Sequence, residues 1–172
     1  MILIKNGTII DPSCKREEKG DLLIADGKIA RIAPCGEIQE EGCEVIDATG
    51  MVVAPGLVDV HVHFRDPGFK EDIDTGAQAA LQGGFTSVVL MANTKPVVDN
   101  EETLDYVLEK GKNTPIHVYS CASISKGLQG KELVDMALLY SKGAAGFTDD
   151  GIPLLDVGIL EQAFVKAASI GV

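Results

Sequence analysis

An α/β fold in two parts is predicted by three features of the sequence. Short β-branched runs separated by Gly, Pro and Asp fill residues 1–54, the pattern of half-buried strands joined by tight turns. From residue 55 onward, strand-like apolar runs begin at residues 57, 87, 116 and 144, so each unit is about 30 residues long, the length of a strand–helix–strand repeat. Ala54-Pro55-Gly56 stands between the two regimes, where Pro and Gly punctuate the chain. The expected domains are therefore a small β module over 1–54 and an α/β domain over 55–172.

The first module draws its strands from "MILIKNGTII", "DLLIADGKIARI" and "EVIDATGMVVA". Within the second of these, Asp26-Gly27 marks a two-residue hairpin, because both turn positions require positive φ, which Asp tolerates and Gly adopts freely. In the second domain, strands are expected at 57–63, 87–91, 116–121 and 144–147. They should be parallel, since consecutive strands so far apart need helical crossovers. In "DNEETLDYVLEKGK", Asp99 or Asn100 can cap a helix whose Leu104, Val107 and Leu108 share a face, with Gly111 as its stop. In "KELVDMALLYSKG", Leu133, Met136, Ala137 and Tyr140 form the next stripe, ending before Gly143. The last helix is capped by Asp156, buries Leu160, Ala163, Phe164 and Ala167, and stops at Gly171.

The net charge of −11, from 15 basic and 26 acidic residues, excludes nucleic-acid backbones and anionic membranes as partners, since both require a positive face. The N-terminus lacks a basic region and a cleavage site, so no signal peptide is expected. No apolar run reaches the roughly 18 residues of a membrane span. Cys14, Cys35, Cys43 and Cys121 lack paired spacing and read as reduced thiols of a cytoplasmic protein. Neither "HFRDPGFKEDIDTG" after the first strand nor "ANTKP" after the second is a phosphate-binding glycine loop, which argues against an open nucleotide-binding sheet.

Chemistry concentrates in "VDVHVHFRDPG", residues 58–68. Residues i and i+2 share a strand face, so His61 and His63 point together, with Arg65 beyond them. Parallel α/β proteins gather their sites at the carboxyl ends of strands, and two imidazoles there can hold one metal ion. "GFTDDG" at 146–151 offers Asp149 and Asp150 as a carboxylate ligand beyond the fourth strand. Asn93, after the second strand, can offer an amide to a substrate. His117 opens the third strand, at the wrong end for this site, and reads as structural; Lys95 and Lys126 read as solvated loop cations.

In order along the chain, "DVHVHFRDPG", "KEDIDTG", "GGFTSVVLMANTKP", "ISKG" and "GFTDDG" resemble the bacterial dihydroorotases of the amidohydrolase superfamily. The resemblance spans all 172 residues. It implies an α/β fold comprising a small β-sandwich module followed by the first half of a metal-dependent (β/α)8 TIM-type barrel. It makes His61 and His63 zinc ligands, with Asp150 as the aspartate bridging two zinc ions and Asp149 as the fallback. It also implies that Arg65 and Asn93, beside His63, bind the substrate carboxylate; an arginine fork and an amide donor suit a carboxylate.

The implied reaction is reversible hydrolysis of dihydroorotate to N-carbamoyl-aspartate in pyrimidine synthesis. About 250 residues make a whole barrel, and the chain beyond Leu57 supplies less than half of that. It is therefore expected to be a fragment with no catalytic general acid or base of its own, weak in metal binding and without turnover. The alternatives are another cyclic-amide hydrolase, of allantoinase or dihydropyrimidinase type, or a non-catalytic scaffold. Arg65 and the Asp of "GFTDDG" weigh against the former, and the retained metal-binding residues against the latter. Partner expectations are a homodimer through open sheet edges and a complex with aspartate transcarbamoylase.

Overall fold

The computed structural model describes residues 1–66 and 71–172; Pro67, Gly68, Phe69 and Lys70 of the quoted motifs lie outside the described residues. Two compact units result, Met1–Pro55 and Gly56–Val172. The first holds a five-stranded sheet built from β1 (Ile2–Asp11), β2 (Arg16–Ala25), β3 (Lys28–Ala33), β4 (Glu44–Asp47) and β5 (Val52–Val53). The strands lie in the order β3-β2-β1-β4, and β5 also pairs with β1. The β2–β3 connection is the expected hairpin, with Asp26 at φ 51° and Gly27 at φ 71°. Strand β2 begins earlier than its apolar stretch suggests, because Arg16 to Gly20 pair with β1 despite their charges. The buried carboxylate of Asp21 holds this unit together, accepting from the Asn6 and Gly36 amides, each at 2.8 Å. Its small core is Leu3, Leu23 and Ile38.

The second unit is a parallel three-stranded sheet in the order β6 (Leu57–Val62), β7 (Phe85–Leu90), β8 (His117–Ser120). Helix α1 (Ile73–Gln82) makes the first crossover, α2 (Glu101–Gly111) the second, and α3 (Met136–Ser141) and α4 (Val157–Ile170) follow. The start of α1 is written locally: Asp72 accepts from the Thr75 amide while the Thr75 hydroxyl reaches back, a capping box. Asn100 caps α2 and Asp156 caps α4. The core is formed by Ile73, Ala77, Val88, Leu90, Leu104 and Val107 together with Met136 and Leu139.

Four expectations are corrected. Residues 144–147 do not form a strand: a single parallel bridge, Ala122 to Phe147, carries the ladder there, because Gly143-Ala144-Ala145-Gly146 brings little side chain to pack on the sheet. Helix α2 does end at Gly111, but not through a left-handed turn; Lys112 caps it in a right-handed conformation. That glycine instead permits close packing, since a Cβ there would lie 2.9 Å from the Val118 Cβ. Helix α3 begins only at Met136, because the Asp135 carboxylate accepts from the Leu138 amide; Val134, Met136 and Leu139 are buried while Tyr140 is exposed. On α4, Ala163 is buried but Phe164 remains 68% exposed, on a face that no described element covers.

Candidate metal centre

The parallel register brings four chain segments level at one end of the sheet. Val62 pairs with Leu90, and Leu90 with Ser120. The alignment continues beyond the strands: the Cys121 amide donates to Leu90 O at 2.8 Å, and the Thr148 amide to Ala122 O at 2.9 Å. His61 and His63 at the end of β6, Asn93 after β7, and Asp149-Asp150 after the Ala122–Phe147 bridge thus arrive at the same end. His117 opens β8 at the opposite end, exposed.

His61, His63 and Asp150 converge there, each offering one ligand atom, all within 4.8 Å of one another. The His61 Nε2 lies 3.3 Å from Asp150 Oδ1, and the His63 Nε2 lies 3.4 Å from Asp150 Oδ2. Both distances exceed the usual range of about 2.7–3.2 Å for an N–H···O hydrogen bond. They match the spacing of two ligands on one tetrahedral zinc, about 3.3–3.4 Å when each bond is about 2.0–2.1 Å. Two imidazole nitrogens and a carboxylate are also a donor set zinc accepts, so the residues fit such an ion. Among the described residues this is the one cluster of three or more His, Cys, Asp or Glu that could hold a metal.

Asn93 lies between two of these groups. Its Oδ1 is 3.1 Å from His63 Nδ1, and its Nδ2 donates to Asp150 at Oδ2 (3.0 Å) and at the backbone O (3.3 Å). The amide expected to face a substrate is thus already engaged. The two adjacent aspartates diverge. The Asp149 carboxylate turns inward, accepting from the Ile124 amide at 2.7 Å, the Ser125 amide at 3.1 Å and the Ser125 hydroxyl. It holds the loop after β8, while Asp150 faces the histidines.

Arg65 is exposed, two residues past His63 and between the buried Phe64 and Asp66. Lys126 is an exposed loop cation paired with Glu132, and Lys95 is exposed. A group not singled out from sequence is Asp66, whose carboxylate accepts from Tyr106 Oη at 2.9 Å, from the Ile73 amide at 3.3 Å and from Lys110 Nζ. Burial opposes its ionisation, but the Lys110 ammonium, the Ile73 amide and the Tyr106 hydroxyl outweigh it and hold its pKa below the ordinary carboxylate value. The same contact raises the Lys110 pKa. Tyr106 and Lys110 stand one helical turn apart, a spacing visible in sequence, but nothing in the sequence names a partner some forty residues away.

The dihydro-orotase-like family model matches residues 50–172. A dihydroorotase of Clostridioides difficile is 56% identical over the whole chain, which covers 41% of that relative. One of Streptococcus pneumoniae is 52% identical over 99% of the chain, covering 40% of the relative. Among solved structures, the L-hydantoinase (dihydropyrimidinase) of Arthrobacter aurescens superposes with a TM-score of 0.77 at 26% identity, over 99% of this chain and 39% of that one. The chain thus spans about two fifths of the length of the curated relatives it matches. A family match running from residue 50 to residue 172 takes in most of the chain, and the chain belongs to the dihydroorotase-like family.

Proposed function

We propose that this chain carries the first metal-binding half-site of a zinc-dependent dihydroorotase, in the first half of a (β/α)8 barrel. The observation that carries the reading is the convergence of His61, His63 and Asp150 at the carboxyl end of a parallel sheet, at spacings suited to a shared ion. His61, His63 and Asp150 would hold the zinc, and Asp150 would be the residue shared with a second one. Bound zinc would lower the pKa of its water to about 7 and would polarise the amide carbonyl. Arg65, just past His63, binds the carboxylate of dihydroorotate with its planar fork. Ring opening also needs a proton donor for the leaving nitrogen, and that group comes from outside these 172 residues. The 51–56% identity to dihydroorotases, against 26% to the L-hydantoinase, supports dihydroorotate over hydantoins as substrate. The open edge of β6 supports a second copy of the chain as protein partner.

Zinc content by elemental analysis, measured together with dihydroorotate hydrolysis, tests this reading. The 172-residue chain should take up zinc weakly and turn over no substrate, and His61→Ala or Asp150→Ala should reduce its zinc to background. A polypeptide of the relatives' full length that begins with these residues should do both. Zinc uptake indifferent to both substitutions, or robust hydrolysis by the short chain alone, would overturn the assignment.

A further inference from the structure

We infer that Asn93 is a positioning residue of the metal pair, fixing the tautomer of His63 and the orientation of Asp150. This deepens the metal reading above and takes its functional meaning from it. The argument begins with the orientation of the Asn93 amide. Its nitrogen faces the Asp150 Oδ2 at 3.0 Å and the Asp150 backbone O at 3.3 Å. Both are acceptors, so the amide hydrogens must point there; the flipped arrangement would set an oxygen against two oxygens.

The amide oxygen therefore faces His63 Nδ1, at 3.1 Å. An amide oxygen only accepts, so Nδ1 must carry the hydrogen. In a neutral imidazole the other nitrogen is then bare. That bare nitrogen is Nε2, whose partner is Asp150 Oδ2 at 3.4 Å, an electron-rich atom facing another until a cation lies between them. One side chain thus decides which nitrogen of His63 is the ligand atom, as hydrogen bonds to the far ring nitrogen do in metal sites generally. It also donates to Asp150 at both Oδ2 and the backbone O. Without Asn93, Asp150 Oδ2, 3.4 Å from Nε2, would draw the hydrogen onto Nε2 and block the ligand atom.

The test is nitrogen NMR of the histidine rings in the metal-free 172-residue chain, with the imidazoles neutral, alongside zinc titration against a chromophoric chelator. Wild-type His63 should carry its hydrogen on Nδ1. Asn93→Ala should move it to Nε2 and weaken zinc binding about 10- to 100-fold, the usual cost of losing a partner behind a ligand. Unchanged backbone amide dispersion in the Asn93→Ala spectrum separates this effect from a loss of folding. A wild-type His63 with its hydrogen on Nε2 overturns the inference, as does an Asn93→Ala protein with unchanged tautomer and zinc affinity. If the wild-type chain takes up no zinc, the metal reading fails, and the tautomer measurement, which needs no metal, still decides the role of Asn93. Should Asn93→Ala not fold, the wild-type spectrum carries the test.

Discussion

The carboxylate of Asp66 lies three residues beyond His63 and fastens the end of β6 to both crossover helices of the sheet: to the start of α1 through the Ile73 amide, and to α2 through Tyr106 and Lys110. Asp66 is 5% exposed, so its contacts operate with little competition from water. Because its folded pKa is depressed, the folded protein holds this proton less tightly than the unfolded chain does. The stabilisation is therefore complete above the ordinary aspartate value of about 3.9 and is lost as pH falls from there through the folded value. Asp66→Asn should cost about 1.5–3 kcal/mol at neutral pH, the range for hydrogen bonds to a charged group. Urea unfolding of the two proteins should show that gap closing below about pH 4; a gap constant with pH would mean that the Asp66 charge contributes nothing.

Elements meet in this unit at small residues as much as at large ones. Helix α2 approaches β8 closely enough that a Cβ on Gly111 would lie 2.9 Å from Val118 Cβ and 3.1 Å from its Cγ1. Alanine at a helical position gains up to about 1 kcal/mol over glycine, whereas overpacking a fitted interface costs about 1–3 kcal/mol. Gly111→Ala should therefore lower stability by up to about 2 kcal/mol, read as a lower urea midpoint with unchanged slope; a rise in the midpoint would show that helix and strand are free to separate. The same comparison explains why this glycine, the last residue of α2, is not the left-handed cap its position suggests. Glycine near the end of a helical stripe is most often a left-handed cap, and only the position of β8 shows that space, not backbone conformation, is what this residue supplies.

At the scale of the whole second unit, large apolar side chains among the described residues stand exposed on β6 and on α4. On β6, an edge of its sheet, Val58 and Val60 are 60% and 69% exposed, and on α4 Val157, Phe164 and Val165 are 75%, 68% and 66% exposed. An apolar strand edge that offers unpaired backbone groups is a template for association. We expect the 172-residue chain to self-associate in a concentration-dependent way by sedimentation equilibrium, and Val60→Lys to shift it toward monomer, since lysine is what natural edge strands use against pairing. A monomer at every concentration would remove the second copy from the proposed function.

Periodicity and punctuation made much legible in advance: the parallel strands from 57, 87 and 116, the Asp26-Gly27 hairpin, the Asn100 and Asp156 caps, and the pairing of His61 with His63 on one strand face. These depend on spacings of two to four residues, which local backbone geometry sets. The start of α3 was also local, since Asp135 and Leu138 are three residues apart, but its signal competed with a longer apolar stripe that began at Leu133. Which of two adjacent aspartates faces the histidines was not local. Asp149 turns inward because unpaired amides at Ile124 and Ser125 lie within its reach, and buried donors require partners; Asp150 is left to face the site. Likewise Asn93 could be placed after its strand from sequence, but its amide's use depends on His63 and Asp150, 30 and 57 residues away. The sequence by itself determined which residues reach the carboxyl end of the sheet, through strand period and crossover length, and only the tertiary structure decided which of them touch, because hydrogen-bond partners so far apart are chosen by packing.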